Sequence, residues 1–216
     1  MERKQIIDAL KKLRDAAKKR KFKQSVDFSI VLKEVDLKNP ENRIDEFFVL
    51  KHGIGKKIKL CALVDKELVT QAREVCDKVI TKDEFSKWSG KKKEIKKLAD
   101  EYDYFIAQAN IMTDIAATFG KVFGPKGKMP SPKSGCIVSP KSNLKNLAEK
   151  LKKIVKLQAK KQPVISTIIG VEDMSDEDLA DNALSIYEFV LKKLPRGTQQ
   201  IKKSYIKFTM SKPVII

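Results

Sequence analysis

The sequence predicts a two-domain protein of mixed α/β class, in which a parallel α/β domain interrupts a split α+β domain. Three observations carry this prediction. Strand and helix patterns alternate from about residue 58 to 154, which is typical of a parallel sheet covered by helices. Residues 1–53 and 164–216 each offer one helix and about two strands, too little for a stable core alone. The length of 216 residues suits two small domains.

These patterns place the domain boundaries. We expect a discontinuous first domain made of residues 1–53 and 156–216. We expect residues 54–155 to form an inserted, three-layer, Rossmann-like α/β domain.

The first domain is expected to begin with an amphipathic helix. Between residues 4 and 21, apolar side chains recur every three or four positions on a lysine- and arginine-rich background. Apolar and polar residues then alternate from Val26 to Lys33, which predicts a half-buried strand. A second strand over Ile44–Leu50 is expected to pair antiparallel with the first.

The inserted domain opens with a continuous apolar run, Ile58–Val64, as expected of a strand covered on both faces. Apolar spacing predicts one helix that ends at Gly120 and another that runs from Leu144 to Ile154. The remaining predicted elements are helices at residues 67–76, 83–88 and 91–99 and short strands at residues 79–80, 104–107 and 136–139.

The most distinctive stretch is Phe119–Gly135. It holds four of the nine glycines and three of the eight prolines, and it contains no acidic residue. Glycine permits backbone conformations closed to other residues, and proline fixes them. The composition therefore predicts a defined, irregular, cationic loop that is neither helix nor inner strand.

The C-terminal part returns to the first domain. Val164–Ile169 is expected to be a strand. Ser175 followed by three acidic residues is typical of a helix start, and this helix should run to about Leu194. Alternation over Ser204–Met210 predicts a final strand.

Net charge is the strongest global indication of a partner. Forty-six lysines and arginines against 28 aspartates and glutamates give +18, which favours polyanions and above all nucleic acid. The alternative is a lysine-rich surface kept for solubility, or a proteome-wide lysine bias of the kind that some thermophiles show. A membrane surface is less favoured because the N-terminal helix lacks an aromatic face, and the start of the chain lacks a secretory signal. We expect a cytoplasmic protein without membrane contact.

Metal and thiol chemistry are not expected. Cys61, Cys76 and Cys136 are far apart in the sequence, and His52 is the only histidine, so no zinc-ligand spacing occurs. Buried free thiols are the simplest interpretation. His52 has no candidate nucleophile or carboxylate nearby in the sequence, which favours a structural or hinge role.

Nucleotide-binding motifs also fail on spacing. Gly127-Lys128 is followed by Met129, and Val122 stands where the first glycine of a phosphate-binding loop would be. We therefore predict no catalytic residue, no cofactor and no enzyme. A phosphate- or nucleotide-binding enzyme that uses residues 120–135 is the remaining alternative, because glycine-rich turns can bind anions through backbone N–H groups.

Four segments, in this order along the chain, carry a resemblance to a known family. They are Lys21–Asp27, His52–Lys56, Gly120–Lys133 and Ser204–Ser211. On these segments the chain resembles the L-one family of large-subunit ribosomal proteins, in its archaeal form, over essentially its whole length.

The resemblance implies a two-domain protein that binds large-subunit ribosomal RNA at the base of the mobile stalk near the tRNA exit site. It implies further partners, namely exit-site tRNA, whose release the stalk assists, and a mimic of the ribosomal RNA in the protein's own mRNA, whose translation it represses. It also implies a ribosomal location and a monomer when free.

The resemblance also assigns residues. The segment after the first helix should meet the last strand, with small polar groups reading 2′-hydroxyls and Asp27 accepting from a hydroxyl or amino group. Asp27 stands where bacterial relatives have glutamate, and Ser211 where they have glycine. The expected RNA-binding residues are Phe22, Ser25, Asp27, Ser204, Thr209, Met210 and Ser211. The expected secondary basic contacts are Lys21, Lys23, Lys121, Lys126, Lys128, Lys133 and Lys207, and the expected hinge is Gly53 and Gly55.

Overall fold

The structure, a computed structural model, describes residues 1–18, 20–39, 42–140, 142–160 and 162–216. The chain forms two compact units. Unit 1 combines Met1–Lys56 with Lys153–Ile216, and unit 2 is Lys57–Lys152. Both units mix helices and strands, so the predicted fold class is confirmed. In the part of the chain described, no helix is long and apolar enough to cross a membrane.

The main sheet of unit 1 joins the two ends of the chain. Its elements are α1 (Arg3–Ala16), β1 (Ser25–Leu32), β8 (Val164–Val171), α7 (Asp176–Lys193), β9 (Ile201–Phe208) and β10 (Val214–Ile215). The strands are antiparallel, in the order β10-β9-β1-β8. α1 and α7 pack on each other and against the sheet. Strand β1 from the N-terminal segment therefore lies between two strands from the C-terminal segment.

Side-chain hydrogen bonds cap the starts of both long helices of unit 1. The Ser175 hydroxyl accepts a hydrogen bond from the Asp178 backbone N–H at 3.1 Å, which caps α7 as its sequence predicts. α1 is shorter than predicted and ends at Ala16. Its start is fixed by a reciprocal cap, in which the Gln5 side chain accepts from the Glu2 backbone N–H at 2.9 Å.

A second, two-stranded sheet in unit 1 corrects two predictions. β2 (Ile44–Val49) pairs antiparallel with β7 (Ile154–Ala159) and not with β1, because both edges of β1 are already occupied. The predicted extension of a helix to Ile154 is also wrong, since Ile154 begins β7. The Phe48 ring of β2 packs against Phe189 of α7, with 5.0 Å between ring centroids.

Unit 2 is a parallel sheet with helices on two sides. Its strands are β3 (Leu60–Val64), β4 (Lys78–Thr81), β5 (Tyr104–Gln108) and β6 (Ile137–Val138), and its helices are α2 (Val69–Val75), α3 (Phe85–Trp88), α4 (Lys92–Glu101), α5 (Met112–Lys126) and α6 (Leu144–Leu151). The sheet order is β4-β3-β5-β6, and every pairing is parallel. α2 packs on α6, whereas α5 packs on α3 and α4. Every residue of β3 is buried, as its apolar run predicts.

The prediction of an irregular loop is wrong for its first eight residues, because α5 continues through Phe119–Lys126. Phe119 and Phe123 lie one helical turn apart and are fully buried, and their rings are 5.3 Å apart. This aromatic burial outweighs the low helix propensity of Gly120 between the two rings and of Gly124 after them. Gly127, with a φ of +64°, ends the helix in the left-handed conformation that glycine favours.

Candidate nucleic-acid interface

The unit 1 sheet has one buried and one open face. Along β1, Val26, Phe28, Ile30 and Leu32 are buried, whereas the alternate residues are partly exposed. Because successive strand residues point to opposite faces, the exposed set shares the face away from the apolar core. We call this surface the open face. Register places these residues on it: Asp27, Ser29 and Val31 of β1, Val164, Ser166 and Ile168 of β8, Lys203, Tyr205 and Lys207 of β9, and Ile215 of β10.

The open face is organised in cross-strand rows. In one row Asp27 lies between Lys207 and Ile168. In the next row Ser29 lies between Tyr205 and Ser166, and the Ser29 and Ser166 hydroxyl oxygens are 2.9 Å apart. Each row thus combines groups that can form hydrogen bonds with apolar surface.

Asp27 is the acidic member of the open face. Partial burial raises the pKa of its carboxyl group, and the neighbouring charge of Lys207 opposes that rise. The carboxylate is therefore incompletely solvated. A hydrogen-bond donor from a bound partner would restore part of the solvation that burial removes.

Hydrogen bonds join the turn after β9 to the start of β1 and the residue before it. The Thr209 backbone N–H donates to the Ser25 carbonyl at 3.1 Å, and the Thr209 hydroxyl accepts from the Ser25 N–H at 3.1 Å. One residue further, the Met210 N–H donates to the side-chain oxygen of buried Gln24 at 3.1 Å. These contacts bring together two segments that are more than 180 residues apart in sequence.

Two large apolar side chains are exposed near these contacts. Met210 is 58% exposed, and Phe22, two residues before Gln24, is 51% exposed. A groove of about 370 Å³ includes Gln24 in its lining, together with the cations Lys18 and Arg20 and the carboxylates of Glu172 and Asp173. Exposed apolar groups beside cations are suited to nucleotides, which offer ring faces and phosphates together.

The structure separates two of the three predicted serines, Ser204 and Ser211, from the open face. Ser204 is only 4% exposed and lies on the buried side of β9, because it alternates with Lys203 and Tyr205. The expectation of a direct Ser204 contact is corrected accordingly. The Ser211 hydroxyl accepts from the Phe208 N–H at 2.9 Å, so this side chain stabilises the turn after β9.

The predicted basic residues differ in whether their ammonium groups face outward or bond within the protein. Lys21 is exposed, Lys207 lies on the open face, and Lys23 forms an ion pair with Asp173 at 2.5 Å. In unit 2, Lys126 contacts Asp100, and its ammonium group lies 3.4 Å from the Lys96 carbonyl.

Lys128 also serves its own unit. Its ammonium group donates to the Tyr102 and Asp103 carbonyls at 3.0 Å each, just beyond the end of α4. Lys121 on α5 and Lys133 near Gly135 are exposed. Only part of the predicted basic set is therefore directed outward.

At the predicted hinge, the backbone adopts the left-handed conformation that glycine allows. Gly53 and Gly55 each have a φ of +70°. Buried Asn182 of α7 donates to the Gly53 carbonyl at 3.0 Å and accepts from the His52 N–H at 3.2 Å. The His52 ring nitrogens lie 3.3 Å from Asp178 and 3.6 Å from Asp181. His52 is thus held among carboxylates, which fits the predicted structural role.

Residues 120–135 do not form a phosphate cradle. From Gly120 to Lys126 the backbone is helical, and the N–H groups of Gly127 and Lys128 donate to the carbonyls of Gly124 and Phe123. Such donors are not directed at a ligand. Within the described ranges, no cluster of three or more His, Cys, Asp or Glu side chains could hold a metal ion.

The open face also contains residues that the sequence-based prediction did not include, among them Ser29, Ser166, Tyr205 and Ile215. The period of two along β9 was the available signal, since residues 203, 205 and 207 must share one side. Ser204 and Lys207 are three residues apart, so a period of two does not allow them to share one surface.

The fold and this surface define a class, that of basic two-unit α/β proteins with an exposed, lysine-bearing sheet. The family model described as the ribosomal protein L1p/L10e family matches residues 10–212, and the chain belongs to this family. The predicted resemblance is therefore confirmed.

Relatives named large ribosomal subunit protein uL1 match along nearly their whole length. The chain is 42% identical over 216 residues to that of Methanothermococcus thermolithotrophicus, covering 100% of this chain and 99% of the relative. It is 40% identical over 212 residues to that of Methanothermobacter thermautotrophicus, with 98% and 97% coverage. It is 40% identical over 214 residues to that of Pyrococcus abyssi, with 99% and 95% coverage. The chain is thus of the archaeal type, and its family is one of ribosomal proteins rather than enzymes.

Proposed function

We propose that the chain binds large-subunit ribosomal RNA at the base of the mobile stalk, near the tRNA exit site, through the open face and the adjoining Thr209–Met210 turn. In this role it acts in the cytoplasm as a non-catalytic part of the ribosome and assists release of exit-site tRNA. It is a monomer when free, and it represses its own translation by binding a similar RNA structure in its mRNA.

One observation carries the proposal. Exposed Met210 lies in the turn at the end of the open face that is hydrogen-bonded to Gln24, two residues after exposed Phe22, although more than 180 residues separate the two segments in sequence. Folded RNA is recognised by shape, backbone and 2′-hydroxyls, which the Asp27 carboxylate and the serine hydroxyls can address. The net charge of +18 supplies salt-sensitive attraction to phosphates.

The test is binding of a stalk-region fragment of ribosomal RNA, measured by filter binding over a range of salt concentrations. Met210→Ala should weaken binding at every salt concentration because it removes apolar contact and no charge. Thr209→Val should weaken it about fivefold, the equivalent of one hydrogen bond of about 1 kcal/mol. Thr113→Val, at an exposed threonine of unit 2, is the matched control and should bind like the parent.

Two results would contradict the proposal. One is a parent protein that does not bind the RNA fragment at low salt. The other is a pair of variants, Met210→Ala and Thr209→Val, that both bind as tightly as the parent. Calorimetry with nucleotides, run in parallel, tests the enzyme alternative, which requires nucleotide binding without RNA binding.

A further inference from the structure

The centre of the open face has a different chemistry from the end that holds Thr209 and Met210. Tyr205 of β9 is partly exposed there, with Ser29 on one side and Ile215 of β10 on the other. Ile215 is 57% exposed. An aromatic ring beside an exposed aliphatic side chain forms an apolar platform on an otherwise polar sheet surface.

Two cations flank this platform along the same strand. Lys203 and Lys207 lie two residues before and after Tyr205, on the same side of β9. Each is therefore displaced by about 7 Å along the strand. A nucleotide is suited to this arrangement because its base can stack on a ring while the neighbouring phosphates approach ammonium groups.

We propose that Tyr205 stacks on one unpaired base of the bound RNA, with Ile215 beside that base and Lys203 and Lys207 near the flanking phosphates. The proposal rests on the proposed function, because it takes RNA as the partner. The base must be unpaired because both faces of a paired base are covered by its neighbours in the helix.

The position of Tyr205 also constrains the RNA. Thr209 is four residues further along the chain, which corresponds to about 13 Å. One RNA structure can therefore reach both places, with its folded part at the Thr209–Met210 turn and a looped-out nucleotide at Tyr205. A protein partner could use the same apolar platform, but the lysines on both sides and the charge of +18 favour RNA.

The experiment compares Tyr205→Leu with Tyr205→Phe on the stalk-region RNA fragment. Tyr205→Leu should lower the affinity about tenfold, because it removes stacking. Tyr205→Phe keeps the ring and should remain within about twofold of the parent. The salt dependence should be the same in all three proteins, since no charge changes.

A matched change in the RNA identifies the stacked nucleotide. Each unpaired nucleotide is replaced in turn by an abasic residue, and one such RNA should bind the parent about tenfold more weakly. Tyr205→Leu should cause no further loss with that RNA. A photoreactive base at the same place should crosslink the parent protein within residues 203–207, a result that needs no variant to fold.

The proposal is overturned if Tyr205→Leu binds like the parent, or if its loss is the same with every abasic RNA. Absence of the crosslink would also overturn it. These failures are distinct from failure of the proposed function. If Met210→Ala weakens binding and Tyr205→Leu does not, RNA binding stands and only the stacking role is lost.

Discussion

The open face of unit 1 and the Phe119–Gly135 segment of unit 2 are both lysine-bearing, yet they direct their charges differently. On the open face, Lys203 and Lys207 share a surface with the exposed Ile215. In the unit 2 segment, Lys126 and Lys128 donate to backbone carbonyls of α4 and the residues after it. The same residue type is presented on an open surface in one place and bonds to its own unit in the other.

This difference follows from backbone geometry. A strand sends alternate side chains to one face, so lysines at every second or fourth position gather on one surface. The final carbonyls of a helix lack partners within the helix and attract cations. Lys128 lies close to the end of α4 and supplies such a cation. Composition alone therefore measures charge but not the direction in which it acts.

The largest expected effect tests the inward lysine. Lys128→Met leaves the Tyr102 and Asp103 carbonyls without their donor and should lower the free energy of unfolding by about 2 kcal/mol. Denaturant unfolding measures this. Lys121→Met, at an exposed position of α5, is the control and should change stability by less than about 0.5 kcal/mol. Equal stability of the two variants would remove the contrast between the regions.

The next effect tests why the glycine-rich segment is helical. A side chain at Gly124 meets nothing within 4 Å, so Gly124→Ala should raise the free energy of unfolding by about 0.5–1 kcal/mol. Gly127→Ala should lower it by about 1–2 kcal/mol because the φ of +64° is unfavourable for alanine. Thermal unfolding of the two variants should therefore shift in opposite directions; shifts of the same sign would show that the helix does not end as described.

A smaller effect tests the outward lysine. Lys207→Met should reduce the slope of log affinity against log salt by about one for the stalk-region RNA. Its stability should stay within about 0.5 kcal/mol of the parent. Lys128→Met should behave in the opposite way, with lower stability and an unchanged salt slope. If Lys207→Met keeps the parental slope, the open face is not close to phosphate.

The smallest effect concerns Asp27. Its pKa is raised in the folded protein, so the folded state binds the proton more tightly than the unfolded state. Stability contributed by protonated Asp27 is present at low pH and is lost as pH rises through the folded pKa. Asp27→Asn should therefore be slightly more stable than the parent at neutral pH, and the difference should shrink in acid. Denaturant midpoints at neutral and at acidic pH measure this stability difference. Asp15→Asn, on the outer side of α1, is an exposed control.

Sequence patterns predicted the elements whose signal is local. The alternation in β1, the apolar run of β3 and the Ser175 cap of α7 each depend on neighbouring residues, and all three appear in the structure. That the segment after α1 meets the end of the last strand was inferred from family resemblance, because no local pattern links residues so distant.

Other features depended on contacts that a sequence pattern does not specify. The spacing of Leu144, Leu147, Leu151 and Ile154 continues a helical period across the point where α6 ends and β7 begins. β2 pairs with β7 more than 100 residues later, and periodicity does not identify a pairing partner. In α5, burial of Phe119 and Phe123 outweighs the glycines between and after them, which a propensity argument alone does not reveal.

The central position of β1 has a consequence for biosynthesis. Its pairing partners lie in β8 and β9, roughly 130 to 180 residues later in the chain. At about 5–20 residues per second, translation takes on the order of ten seconds or more to supply those partners. During that interval the apolar residues of β1 have no sheet to join, and every strand of unit 2 is synthesised before β8 and β9. The N-terminal segment is therefore the part of the nascent chain that waits longest for its fold.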